Sequence, residues 1–446
     1  MQADVQKNLA DFIANCRDEL IVGRLIEDMK YRVIDWLGCA VVGARYPQCD
    51  IARRTFTHFG GVEEAVVIGA SGRYPAPAAA MVNGIIGHVS ELDDGHRKAI
   101  GHPGSVTLPV ALALGELLNV SGSAFLKALI VGYDVYIRLG QTVNPSHYAY
   151  WHTTGTCGTF AAAATAASLM RLTAEQARNA LGIAATMASG LVASFGSHAK
   201  ALNVGHACQS GVYAALLAKE GFTGSPQALA GDKGFVKATS DYESLKYLEC
   251  LTEEGLLSDT AFYKVYASCG HTNSPLDAVF SLMNAHTLDV KKIARIHVAT
   301  YRIAVSLTAA LKASNEDEAK FSLPYCTAVA LIFGRVSLAE FQPQALSNPD
   351  VLALAKKVEV VESEEATARF PKRQAEVTIV MEDGKTYRHR VMDATDVANF
   401  AMLEQKFLHS AQGVDRQASE AVLAYIKTMD NSADIAPLVD YLRRVG

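Results

Sequence analysis

Four short segments of this 446-residue chain carry more proton-handling and anion-binding side chains than packing alone requires. The first is Glu91-Leu92-Asp93-Asp94-Gly95-His96, followed by Gly101-His102-Pro103-Gly104-Ser105. The second runs from Trp151-His152-Thr153-Thr154 to Phe160, and the third is Gly196-Ser197-His198-Ala199-Lys200-Ala201-Leu202-Asn203. The fourth joins Lys264-Val265-Tyr266-Ala267-Ser268-Cys269-Gly270-His271 to the later Lys320-Phe321-Ser322-Leu323-Pro324-Tyr325-Cys326. Histidine titrates near neutral pH, so His102, set between a glycine and a proline, is suited to take and return a proton. Lys200 lies among small and apolar residues, where an ammonium needs either solvent or an anionic partner. The remaining candidates each have a plain packing alternative. Asp93-Asp94 can cap the next segment, His152 can brace its glycine-rich turn, and Tyr325 can be a core tyrosine with a buried partner. For His198, His206 and His271 the alternative is ordinary polar packing.

Other chemistries fit less well. His96 and His102 near Asp93 and Asp94 can be written as metal ligands, but the i, i+4 helical spacing of zinc sites is missing, so no metal is expected. Gly69-Ala70-Ser71-Gly72 is too short for a phosphate or dinucleotide loop. The eight cysteines (Cys16, Cys39, Cys49, Cys157, Cys208, Cys250, Cys269 and Cys326) contain no C-x-x-C pair and read as reduced, mostly buried thiols.

The elements that must position these residues are mainly helical. From Leu25 to Leu37 apolar side chains recur at three- and four-residue steps. Thr173-Ala174-Glu175-Gln176 is a capping box, predicting a helix to about Leu181 with Gly182 as its stop. Another helix is expected from about Ala207 to Glu220, stopped by Gly221. The Ala-rich run after Thr159 suits a helix buried within a bundle. Near residue 290 the period changes to two. Ile296, Val298 and Thr300 alternate with their neighbours, as do Val377, Ile379 and Met381, and Asp383-Gly384 offers a hairpin turn before Thr386, Arg388 and Arg390. Helical periodicity resumes after about Val397. The expected architecture is a large, discontinuous all-helical bundle (1–265 and 398–446) with a smaller α+β domain inserted at 266–397.

Length favours two domains. A net charge of −5 with no long Lys/Arg run leaves no footprint for nucleic acid. The first twenty residues lack a continuous apolar stretch, and Val106–Leu118 and Phe160–Met170 are too short or too Ala-rich to span a bilayer. A cytoplasmic protein without membrane contact is expected.

These segments, in this order, resemble the MmgE/PrpD family of 2-methylcitrate dehydratase, cis-aconitate decarboxylase and iminodisuccinate epimerase. The resemblance runs from about Ile34 to Phe407. Its most specific pieces are the HTTGTCGTF run from His152, the KFSLPYC run from Lys320, and Gly221-Phe222-Thr223-Gly224. It implies an all-helical domain with an α+β insert, a homodimer, an active site between the two domains, and no cofactor. It places His102, Lys200 and Tyr325 on active-site positions, with Asp93, Asp94 and His152 nearby. Family reactions move a proton at carbon next to a carboxylate, so negative charge builds on an anionic group. A lysine ammonium there is typically worth ~3–4 kcal/mol.

The chain also departs from the family pattern. A Thr-His pair, whose histidine is catalytic in the decarboxylases, is here Thr272-Asn273, and asparagine cannot exchange a proton near neutral pH. His271 is the candidate to reach the same cavity. The usual Lys-x-Leu-His-x-Gly becomes Lys200-Ala201-Leu202-Asn203-Val204-Gly205, His206 stands in place of a common arginine, and Glu91 in place of an aspartate. Losing an arginine removes bidentate carboxylate binding, which suggests a substrate other than 2-methylcitrate or cis-aconitate.

The expected function is a cofactor-independent lyase of dehydratase type acting on a small di- or tricarboxylate. His102, Lys200, Tyr325 and His271 are the catalytic candidates, and Asp93, Asp94, His152, His206 and Asn273 the substrate-binding ones. The alternatives are an epimerase or isomerase, a decarboxylase, and a catalytically silent paralogue that binds a metabolite.

Overall fold

A computed structural model describes residues 4–16, 20–242, 244–249, 255–395 and 400–445. Helix accounts for 61 % of the described residues and strand for 8 %, so the mainly α expectation holds. The chain divides into two compact units, the first made of Met1–Ser194, His198–Tyr263 and Ala398–Gly446, the second of Phe195–Ser197 and Lys264–Val397.

The first unit is a bundle. Its leading helices are α1 (Val5–Asn15), α2 (Gly23–Gly43), α3 (Pro47–Thr57), α4 (Ala76–His88), α5 (Pro103–Leu118), α6 (Gly122–Val143), α7 (Thr153–Leu169), α8 (Ala174–Met187) and α9 (Ala199–Lys219). Helix α7 lies against α5, α6 and α9, and α4 against α5 and α9. The alanine- and glycine-rich faces exist for this packing. A methyl group added at Gly211 of α9 would sit 2.3 Å from the side chain of Ala162 in α7, so the two backbones meet only because both residues are small. A two-residue ladder between β1 (Ala65–Val66) and β2 (Arg73–Tyr74) interrupts the run of helices that periodicity suggested.

Helix ends differ from expectation at two places. The capping box at Thr173 is present, but α8 continues through Gly182 to Met187. Gly182 serves close approach instead of termination, because a Cβ there would lie 2.7 Å from the Ser225 carbonyl oxygen and 2.9 Å from the Gly224 carbonyl carbon. Helix α9 begins eight residues before the expected Ala207, which puts Lys200 in its first turn, and it ends before Gly221 at φ +92°.

The second unit contains a four-stranded sheet of order β4 (Val358–Glu362), β3 (Ile293–Thr300), β5 (Ala375–Met381) and β6 (Thr386–Val391). Strand β3 pairs parallel with β4 and antiparallel with β5, in a register that sets Ile296 beside Ile379 and Val298 beside Val377. Those apolar residues are buried, so the period-two pattern marks a core face. Asp383 and Gly384 form the β5–β6 turn, with Gly384 at φ +85°. Helices Asn273–Ala285 and Leu323–Phe333 pack beside each other, the former also against β5 and β6. Strand β4 was not foreseen. The expected boundary at Val397 and the residue Cys250 lie outside the described residues; within them the other seven cysteines are buried and form no disulfide.

Candidate active site

The first unit gathers its polar residues where four helix ends meet. His88 is the last residue of α4, His102 immediately precedes α5, and His152 immediately precedes α7. Lys200 enters from the first turn of α9. The loop between α4 and α5 supplies Glu91, Asp93 and Asp94, and it carries Glu91 at φ +57° and Ile100 at φ +47°. Non-glycine residues adopt that backbone only where their surroundings hold them there.

Lys200 is 5 % exposed, and its ammonium is paired with the Glu91 carboxylate and lies 2.6 Å from His88 Nε2. On the other side of the ring, His88 Nδ1 lies 2.8 Å from Asp93 Oδ2. A carboxylate only accepts, so Nδ1 carries the proton and Nε2 accepts from Lys200. Asp93 Oδ2 also accepts from Ser105 Oγ at 2.5 Å and stands 3.3 Å from His102 Nδ1. His102 Nδ1 donates to the Asp94 carbonyl oxygen at 2.6 Å, which makes Nε2 its lone-pair nitrogen. The His88 ring lies 4.9 Å from that of His102 and 5.8 Å from that of His152. Burial, with the charge of Lys200 and the neighbouring His88 and His102, pushes His152 well below the usual histidine range, so it stays neutral. Asn203 Nδ2 stands 3.3 Å from His152 Nδ1 and donates to Ser194 Oγ at 2.9 Å, so the asparagine supplies a hydrogen to the imidazole lone pair.

Asp94 turns its carboxylate elsewhere. It accepts from Tyr133 Oη at 2.8 Å and the Gly104 amide at 3.1 Å, and faces the Arg32 guanidinium at 3.5 Å. Burial lifts its carboxyl to about 7 against the opposing pull of Arg32. Its side chain therefore anchors the start of α5, and what it gives the cluster is a backbone carbonyl. His206 lies outside the cluster, half-buried near Ser189 and Ser210, and burial lowers it too.

The second unit holds the other candidates. His271 Nδ1 is 2.8 Å from the Tyr301 hydroxyl. Asn273 opens the helix Asn273–Ala285, and its buried Oδ1 has no hydrogen-bond partner among the described residues. Tyr325 is fully buried, packs on Phe341, and donates its hydroxyl to the Glu340 carbonyl at 2.8 Å. Burial raises that phenol above its ordinary value. Lys264 and Lys320 are also fully buried, the latter 2.7 Å from Glu316.

Sequence reading overlooked His88 as a candidate. The signal was there: a lone histidine at the end of the apolar run Met81–Gly87, three residues before Glu91 and five before Asp93. His88, Asp93 and His102 bring three potential metal-ligating atoms within 4.8 Å of one another, a set in which His96 has no part. In the hydrogen bonding seen here the two Nδ1 atoms act as donors, to Asp93 and to the Asp94 carbonyl, and His88 Nε2 accepts from Lys200.

A buried lysine paired with a carboxylate and a histidine, beside a second histidine whose Nδ1–H is given to a backbone carbonyl, is an arrangement that can hold an anion and exchange a proton. The model of the MmgE/PrpD N-terminal domain matches residues 7–248, and that of the MmgE/PrpD C-terminal domain matches residues 266–431. The chain belongs to the MmgE/PrpD family, and it is an enzyme of the lyase type. It is similar to a cis-aconitate decarboxylase of Aspergillus terreus, 27 % identical over 99 % of this chain and 96 % of the relative. The human cis-aconitate decarboxylase is 25 % identical, over 99 % of this chain and 95 % of its own length. The cis-aconitate decarboxylase-like protein oryM of Aspergillus oryzae is 25 % identical over 98 % and 97 %. No helix among the described residues is long and apolar enough to cross a membrane.

Proposed function

We propose that this enzyme is a cofactor-independent lyase that moves a proton at a carbon beside a carboxylate of a small di- or tricarboxylate. The observation that carries the reading is the buried Lys200 ammonium held by Glu91 and His88 within one cluster with His102. An ammonium has three donors, so Lys200 can hold both partners and turn an N–H to a substrate carboxylate. Fixed in a water-poor site, it stabilises charge that builds on that carboxylate when the neighbouring carbon loses its proton. His102 is the general acid/base. Its Nδ1–H is committed to the Asp94 carbonyl, so proton exchange falls to Nε2. His152, kept neutral, orients or donates to substrate without competing for the proton.

Asp93 supports both histidines and meets substrate only through them. Tyr325 is a weak candidate for a second proton donor, because its hydroxyl hydrogen is given to a backbone carbonyl. His271 and Asn273, in the second unit, keep their proposed roles as catalytic and substrate-binding residues, supported by the His271 ring held at the Tyr301 hydroxyl and by an Asn273 Oδ1 that has no hydrogen-bond partner among the described residues. The names of the relatives favour decarboxylation as a second reading. Asn273 weighs against it, because an amide cannot supply the proton that replaces the lost carboxyl group. A homodimer in the cytoplasm is proposed on family resemblance.

Proton NMR in D₂O with a panel of 2-hydroxy, 2-amino and unsaturated di- and tricarboxylates tests the proposal. Loss of an α-proton signal with a new vinyl resonance supports a lyase. Deuterium uptake without an alkene supports an epimerase, and CO₂ release, measured alongside, a decarboxylase. A silent panel together with thermal stabilisation by one of its members favours a binding-only protein.

A further inference from the structure

The loop that carries Glu91 and Asp93 is gripped from behind by a residue distant in sequence. Lys406, in the helix Phe400–Ser410, donates to the Leu92 carbonyl oxygen at 2.8 Å and to Asp35 Oδ1 at 2.6 Å. The Leu92 carbonyl belongs to the peptide that joins Leu92 to Asp93, and Glu91 stands directly before Leu92. One ammonium therefore holds the peptide between the carboxylate that meets Lys200 and the carboxylate that meets His88 and His102. The grip falls where the backbone is least able to hold itself, since Glu91 has φ +57°. Asp35, on α2, is 2 % exposed and Lys406 keeps only 15 % of its side chain in solvent, so the pair is shielded from water. Burial pulls the Lys406 ammonium down, but Asp35, with Cys39 and Asp93 beyond it, outweighs that and holds it above the ordinary lysine range.

We infer that Lys406 is a positioning residue of the candidate site, through which the return segment of the helical unit sets the spacing of Glu91 and Asp93 around Lys200, His88 and His102. It touches no reacting atom. A hydrogen-bonded carbonyl at this point fixes the left-handed turn at Glu91, and with it the directions in which both carboxylates leave the chain. If the peptide swings, Asp93 leaves the two imidazole Nδ1 atoms and the Glu91–Lys200 pair lengthens. Supporting groups of this kind are typically worth 10- to 100-fold in rate, as displacements of about 1 Å are costly at a reacting centre. The inference rests on the proposed acid–base role of the cluster.

The test compares full-length wild type with Lys406→Met, Lys406→Arg and the double variant Asp35→Asn/Lys406→Met, which removes the buried pair without stranding a charge. Two readouts are taken. One is α-proton exchange with the substrate found by the panel. The other needs no substrate: the downfield imidazole N–H proton resonances of His88 and His102, assigned with His88→Gln and His102→Gln. The expected result is a 10- to 100-fold fall in kcat with KM changed less than threefold in Lys406→Met and the double variant. Both downfield resonances shift or vanish in those variants, and Lys406→Arg restores much of the rate and both signals. A double variant that melts near the wild-type temperature, keeps its rate within twofold and retains both resonances overturns the inference. Should no panel member react with wild type, the acid–base reading has failed, and the resonances alone decide whether Lys406 sets the cluster.

Discussion

The Lys200 ammonium lies 2.6 Å from His88 Nε2, while the opposite nitrogen of that ring is tied to Asp93 at 2.8 Å. A chain of four side chains, Asp93–His88–Lys200–Glu91, thus passes from the end of α4 to the first turn of α9 with each hydrogen assigned by its neighbour. The arrangement gives Lys200 a fixed direction, where a free lysine would sample many rotamers.

Replacing Lys200 with methionine keeps most of the buried volume and removes the charge. Turnover should fall by roughly 10² to 10³ in kcat, the cost of losing one preorganised donor at a developing charge. Single-turnover α-proton exchange in D₂O is the measurement, and a near-normal rate would remove Lys200 from the mechanism.

His88→Gln tests the relay. Glutamine offers one donor and one acceptor but cannot span Asp93 and Lys200 as an imidazole does. The rate should drop by about 10- to 100-fold with the fold intact by circular dichroism. An unchanged rate would mean that Glu91 alone orients Lys200.

Tyr325→Phe separates a core tyrosine from a proton donor. Loss of the hydrogen bond to the Glu340 carbonyl should cost about 1 kcal/mol of stability in urea unfolding while kcat stays within threefold. A collapse in rate at unchanged stability would restore Tyr325 as the donor.

Asp94 gives a pH-dependent stability. Its folded value, lifted by burial to about 7 from 3.8, means that the native state binds this proton more tightly than the unfolded chain does. The contribution is complete below pH ~4 and is lost as pH rises through ~7, a change on the order of a few kcal/mol. The stability of wild type relative to Asp94→Asn, followed by urea unfolding from pH 4 to 8, should therefore decline with rising pH. A difference that is flat or grows would show that Arg32 keeps Asp94 ionised throughout.

Gly182→Ala probes the close approach of α8 to the Gly224 segment. The new methyl group meets backbone atoms at 2.7 to 3.0 Å, which cannot rotate away, so about 1–3 kcal/mol of stability should be lost despite alanine's higher helix propensity. A gain in thermal midpoint would mean that the two segments separate freely.

Much of this molecule was legible along the chain. Period and capping residues mark local structure, so the helical character, the Thr173 capping box, the inward-facing Val377, Ile379 and Met381 and the turn at Gly384 followed from neighbours a few positions apart. Loop context and charge likewise pointed to His102 and Lys200, because an ammonium among small apolar residues demands a partner. The identity of that partner was decided only when α4 and α9 packed side by side and set His88 and Glu91 against a residue more than a hundred positions away. Folding also gave two adjacent aspartates opposite tasks, turning Asp93 to the histidines and Asp94 to Arg32 and Tyr133. Gly182 shows the same limit in the backbone. A glycine near a helix end reads as a stop, yet whether it stops the helix or admits a neighbouring chain depends on what lies beside it, and adjacency in space is the one property a linear pattern does not carry.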